Sequence, residues 1–173
     1  PGSPSPLSEI RFADGSVLTA GEIEAMDIDR SVVLGTARDD EIGAWEAGEG
    51  NHTFIGGKGN DELNGGYDDD VYVWNPGDGD DVVYDPHGKN AIRFGGGIVP
   101  GNIQVRQDGE TLVLYANVPG GGSVSIRDWF TQNEGMRFGE IRFEDGTIWD
   151  YDRVREILLV AGGASEEDDL LLG

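Results

Sequence analysis

A chain of 173 residues is long enough for one domain with a real core, or for two small ones. Its 29 glycines against 7 prolines point to turns rather than helices, and 37% hydrophobic residues is too many for simple disorder. With 34 acidic and 12 basic residues the net charge is −22, which excludes nucleic acid and anionic lipid as natural partners and favours a cation. The absence of cysteine removes disulfides and zinc-thiolate sites. No apolar run approaches the roughly 18 residues of a membrane-crossing helix. No signal peptide is visible, but the sequence reads as a piece of something longer, so this says little about export.

In chain order, residues 1–8 ("PGSPSPLS") read as a linker. "EIRFADGSVLTAGEIEAM" (9–26) reads as strand, Asp-Gly turn, short strand and amphipathic helix, and "EIRFEDGTIWDYDRVREI" (140–157) repeats that order. Each is followed by a similar segment, "LGTARDDEIG" (34–43) and "GGASEEDDLLLG" (162–173). Such self-similarity is the mark of a tandem array. It predicts the tail of a preceding unit over 9–33, a full unit over 34–160, and the start of a following unit over 161–173.

Residues 35–93 fall into nine-residue frames: "GTARDDEIG" (35–43), "AGEGNHTFI" (47–55), "GGKGNDELN" (56–64), "GGYDDDVYV" (65–73), "PGDGDDVVY" (76–84) and "DPHGKNAIR" (85–93). Their eighth residues are Ile42, Phe54, Leu63, Tyr72, Val83 and Ile92, all apolar or aromatic. Six glycine-rich residues make a turn that needs positive φ at several places, and three more make a short strand whose middle side chain points inward. Two half-turns close one coil, so turns two frames apart stack on one edge. A column of sixth-position carboxylates there would repel itself unless a hard cation sat between neighbours. Calcium suits this because it accepts six to eight oxygens in forgiving geometry, whereas magnesium demands a stricter octahedron.

Beyond the frames, "NIQVRQDGETLVLY" (102–115) alternates around an Asp-Gly turn and predicts a hairpin. "GGGSVSIRDWF" (120–130) and "GEIRFEDGTIW" (139–149) add short strands. Asp150 caps a helix with Val154, Ile157, Leu158 and Leu159 on its buried face. The fold class expected is mainly β: a parallel β-roll over 34–93, a small antiparallel region over 94–160, and a C-terminal helix.

"GGKGNDELN" matches the nonapeptide of RTX proteins, the haemolysin-type calcium-binding repeat. "GDGDDVVYDPHGKNAIRF" resembles the closing repeats of that family, and the segment ending "WFTQNEGMRFGEIRFEDGTIWD" resembles the domain that often follows them. The resemblance implies a β-roll in which each sixth-position aspartate binds Ca2+ together with carbonyls of its own turn and of the turn two frames away. Carried over, these are Asp40, Asp61, Asp70 and Asp81, with Gly57, Gly59, Gly66, Asp68, Gly77 and Gly79 as turn backbone or weaker ligands. His52 and Asn90 break the pattern. Frames one, three and five would then form an intact edge, and frames two, four and six a weakened one. The resemblance further implies a bacterial secreted or cell-surface protein, adhesin- or toxin-like, exported by type I secretion, with neighbouring tandem units as partners.

Several residues carry competing readings. Asp68, where glycine is expected, either adds a carboxylate or tolerates a left-handed backbone, and the second is favoured. His52 is expected to be a non-ligating substitution rather than a transition-metal ligand, and His87 has no metal partner at sensible spacing. Asp85-Pro86 lies inside frame six, in surroundings unlike a self-cleaving module. Trp129, Phe130 and Trp149 read as packing residues within short strands rather than a sugar-stacking platform. A glycan-binding or accessory module of a polysaccharide-modifying enzyme is the alternative function. No catalytic set stands out from the acidic background, so no enzyme activity is expected of this region.

Overall fold

The computed structural model describes residues 31–43, 50–131 and 138–161, together with the backbone of two short strands, β1 (Glu9–Arg11) and β2 (Val17–Thr19). These two pair antiparallel, Glu9 opposite Thr19. The helix expected within 9–26 and the following unit expected from 161 fall almost entirely outside the described residues.

From Val32 onward the chain alternates between two sheets. One contains β4 (Glu41–Gly43), β6 (Glu62–Asn64) and β8 (Asp80–Val83), all parallel. The other contains β3 (Val32–Leu34), β5 (Thr53–Ile55), β7 (Val71–Trp74) and β9 (Ala91–Phe94), also parallel. Each strand therefore pairs with the strand two frames away. The strand β3 is a rung that the nine-residue frames did not include.

Register follows the frames. Ile42, Leu63 and Val83 are aligned in one sheet, and Phe54, Tyr72 and Ile92 in the other. All six eighth-position side chains are buried. In the three-residue strands only the middle side chain points inward, so the frame must place its apolar residue there; the four-residue β7 and β9 also bury Trp74 and Phe94. Aromatic contacts tie neighbouring strands of one sheet together: the Phe54 and Tyr72 rings stack with centroids 5.3 Å apart.

The later strands continue both sheets. β10 (Ile103–Asp108) and β11 (Thr111–Ala116) form the predicted antiparallel hairpin, turning through Gly109 at φ +58°. β12 (Ser123–Ile126) pairs antiparallel with β11 and parallel with β8. β13 (Glu140–Arg142) pairs parallel with β9 and antiparallel with β14 (Ile148–Trp149). One buried cluster runs from Ile42 through Phe94 and Leu114 to Val154. The molecule is thus mainly β, with mixed parallel and antiparallel sheets.

Helix α1 (Tyr151–Ala161) is capped by Asp150, whose Oδ1 accepts the Arg153 N–H at 2.8 Å. Val154 is fully buried, and Ile157 and Leu158 pack beside it. Leu159 is corrected: at 68% exposure it faces away, because at 100° per residue it lies well round the helix from Val154. A second correction concerns Trp129 and Phe130, which lie in a turn after β12 and not in a strand.

Candidate metal centre

The turns between strands stack into two edges. On the first, the Asp40 N–H donates to Asp61 Oδ1 (2.9 Å) and the Asp61 N–H donates to Asp81 Oδ1 (3.0 Å). On the second, the His52 N–H donates to Asp70 Oδ1 (2.7 Å) and the Asp70 N–H donates to Asn90 Oδ1 (2.9 Å). Every sixth-position side chain after the first on its edge thus reaches back to the turn before. Asp61, Asp70 and Asp81 are buried, whereas Asp40 is only half-buried.

Fifth positions form a second ladder, in the opposite direction, which the sequence reading missed. The Asn60 N–H donates to Asp39 Oδ1 and the Asp80 N–H to Asn60 Oδ1. On the other edge the Asp69 N–H donates to Asn51 Oδ1 and the Lys89 N–H to Asp69 Oδ1. These side chains are exposed, so the outer ladder works in water while the inner one is shielded. The signal was present as Asp or Asn at every fifth position but the last, a pattern that also fits ordinary turn residues.

Turn backbones explain the glycines. Gly57, Gly66 and Gly77 at second positions have φ of +97°, +85° and +96°. At fourth positions Gly59 and Gly79 have φ of +129° and +113°, and a Cβ on either would collide with a carbonyl of the stacked turn, Arg38 O or Gly59 O. Asp68 holds φ +72°, so it does carry a left-handed backbone. Its carboxylate also accepts the Gly50 N–H at 3.0 Å, linking turns across the second edge.

Charge inside the turns is incompletely answered by protein groups. Asp61 Oδ2 and Asp70 Oδ2 are buried with no hydrogen-bond partner, and so is His52 Nδ1, which lies 3.6 Å from Asp70 Oδ1. An unmatched buried carboxylate oxygen is expensive, so these atoms suit a positive partner, either a cation or a bound proton. Burial pushes Asp61 and Asp70 up from the usual carboxylate range, and burial next to Asp61, Asp78 and Asp80 pushes Asp81 up to about 7. Asp40 goes the other way: the Thr36 N–H and hydroxyl both donate to its Oδ2, at 2.6 and 2.8 Å, and hold it low.

Among the described residues no three His, Cys, Asp or Glu side chains gather into a cation cage of their own. A cation here must draw on backbone carbonyls as well. Turn six shows where these point. Asn90 Nδ2 donates to His87 O at 2.6 Å and reaches Asp85 O at 3.5 Å, so third- and first-position carbonyls face the sixth side chain. In turns three and four that side chain is a carboxylate with a bare Oδ2. An all-oxygen set of carboxylates and carbonyls fits a hard divalent ion such as calcium.

Trp129 and Trp149 are buried, and Phe130 is half-buried against the core, so the three do not form an exposed aromatic platform. No helix among the described residues is long and apolar enough to cross a membrane. A comparison with curated proteins gave no match. Residues 117–153 match the family model described as haemolysin-type calcium binding protein related domain. That stretch contains β12 and β13, which extend the two laddered sheets, and the match supports an RTX-like module of the haemolysin-type calcium-binding kind.

Proposed function

We propose that this chain is a calcium-binding RTX module of a larger secreted bacterial protein, in which residues 32–94 form a parallel β-roll that folds when calcium binds. The observation that carries this reading is the pair of buried, unpartnered oxygens, Asp61 Oδ2 and Asp70 Oδ2, at equivalent places on the two edges. Asp61 and Asp81 on one edge and Asp70 on the other would hold the ions together with turn carbonyls. Calcium supplies the positive charge that the stacked carboxylates lack. The chain's own part is to aim the carbonyls inward through left-handed turns and to fix each Oδ1 on a neighbouring N–H, leaving Oδ2 for the ion.

With a net charge of −22, the metal-free chain opposes its own compaction. Binding and folding are therefore one process. A site whose dissociation constant lies one hundredfold below the ambient calcium adds about 2.7 kcal/mol, so several sites can decide a marginal fold. This suits a chain that stays unfolded in a calcium-poor cytosol, passes a type I secretion channel, and folds outside. Tandem units would build a long adhesin or a stalk for another domain, and no catalysis is assigned to this region. Isothermal titration calorimetry tests the binding. Calcium should give saturable heat that magnesium at the same concentration does not, and absence of a calcium signal would contradict the reading.

A further inference from the structure

The second edge, with His52 and Asn90 at sixth positions, has fewer sixth-position carboxylates than the first. Its geometry nevertheless gathers charge at one point. Frame six begins with Asp85, where frames three and four begin with Gly56 and Gly65. Asp85 is fully buried, and its side chain reaches from turn six into turn four. Asp70 Oδ2, Tyr72 Oη and Asp85 Oδ2 all lie within 2.7 Å of the place a Cβ on Gly65 would occupy. Tyr72 donates its hydroxyl proton to Asp85 Oδ2 at 2.5 Å and accepts the Gly65 N–H at 2.7 Å. The phenol therefore orients the carboxylate. The Asp85 Oδ1 on the far side accepts the His87 N–H at 3.4 Å.

Asp70 Oδ2 is the independent sign of a ligand. Asp70 is fully buried, its Oδ1 is taken by the His52 N–H, and its Oδ2 points into this cluster with no partner. Two buried carboxylates meeting beside a third oxygen repel one another unless a cation or a shared proton lies between them, and a cation would answer both at once. Asn90 cannot supply a carboxylate, and its amide already satisfies the carbonyls of its own turn.

We propose that Asp85, at a first position, replaces the carboxylate missing from Asn90 and joins Asp70 in a calcium site beside Gly65, with Tyr72 as its positioning residue. The second edge is then a site of different composition rather than a broken ladder. This rests on the calcium reading above. It adds a ligand that the nine-residue pattern does not contain, and it gives a reason for glycine at residue 65, where any side chain would fill the space.

The test compares calcium stoichiometry and affinity, by titration calorimetry and equilibrium dialysis, in the unaltered protein and in Asp85→Asn, Asp85→Gly and Asp61→Asn. Asp85→Gly restores the residue that Gly56 and Gly65 provide at the same frame position, so the turn remains able to form. Both Asp85 variants should lose one site, or weaken it by about tenfold or more, while retaining the site that Asp61→Asn removes. Unchanged calcium binding in both Asp85 variants, with loss in Asp61→Asn, would overturn the proposal and assign the Asp70–Asp85 pair a shared proton instead. Failure of the unaltered protein to bind calcium would overturn the calcium reading itself.

Discussion

Gly59 sits at φ +129° with the Arg38 carbonyl where a side chain would begin. Gly59→Ala should therefore cost about 1–3 kcal/mol, read as a lower urea midpoint at saturating calcium. Asp68 shows why the same position in the next frame tolerates a carboxylate: its backbone lies at φ +72°, within the region Asp can reach, and its side chain gains the Gly50 N–H. Titration at single residues also has a definite sign. Burial pushes Asp81 and Asp85 up to about 7 in the folded state, with Asp61 contributing for Asp81 and Asp70 for Asp85. The fold binds these protons more tightly than the unfolded chain does, so metal-free stability is fullest below the unfolded carboxylate range and is lost as pH rises through about 7. Asp40, held low by Thr36, has the opposite sign but is not deeply buried and counts for less. Circular dichroism in calcium-free buffer should accordingly show more ordered structure at pH 5 than at pH 8, and calcium affinity should increase with pH over the same interval. Equal signals at the two pH values would contradict this.

At the level of elements, the turns differ in how their sixth-position side chains are partnered. Turn one uses Thr36 to saturate Asp40, turn six uses the Asn90 amide, and turns three and four leave Oδ2 of Asp61 and Asp70 bare. Turn six should thus need the least help from a cation. Removing its amide would strand the His87 carbonyl and the Asp70 N–H together. Asn90→Ala should lower stability by about 1–3 kcal/mol at saturating calcium, measured by urea unfolding. The strand positions were legible in the sequence because strands of three or four residues bury the eighth position of every frame, so Ile42, Phe54, Leu63, Tyr72, Val83 and Ile92 announce themselves. The cross-turn ladders were not. Which N–H meets Asp61 depends on the stacking distance, and frame spacing alone does not supply it. The reach of Asp85 into turn four was hidden for a related reason. Its role depends on reaching a glycine twenty residues earlier, Gly65, and on a phenol that the frame pattern records only as an apolar eighth residue.

Across the whole molecule, the region after the frames carries the sheets onward. Ser123 pairs with Asp80 and its hydroxyl donates to Asp80 Oδ1 at 2.8 Å, while Ile141 aligns with Ile92. Alternation in 102–115 and 139–149 made the strands readable but not their parallel attachment to β8 and β9, since partners so far apart leave no periodic trace. A continuous core from Ile42 to Val154 means that ordering the turns and ordering the later strands are energetically joined. Among the described residues carboxylates crowd the same stacked turns, and on the proposed reading their repulsion weakens as calcium enters or as protons bind. Circular dichroism during a calcium titration from a chelated start, with magnesium as control, tests this coupling most directly. A mostly unfolded signal in chelator should turn cooperatively to a β-rich one as calcium is added, and not with magnesium; a fully folded spectrum in chelator would rule the coupling out.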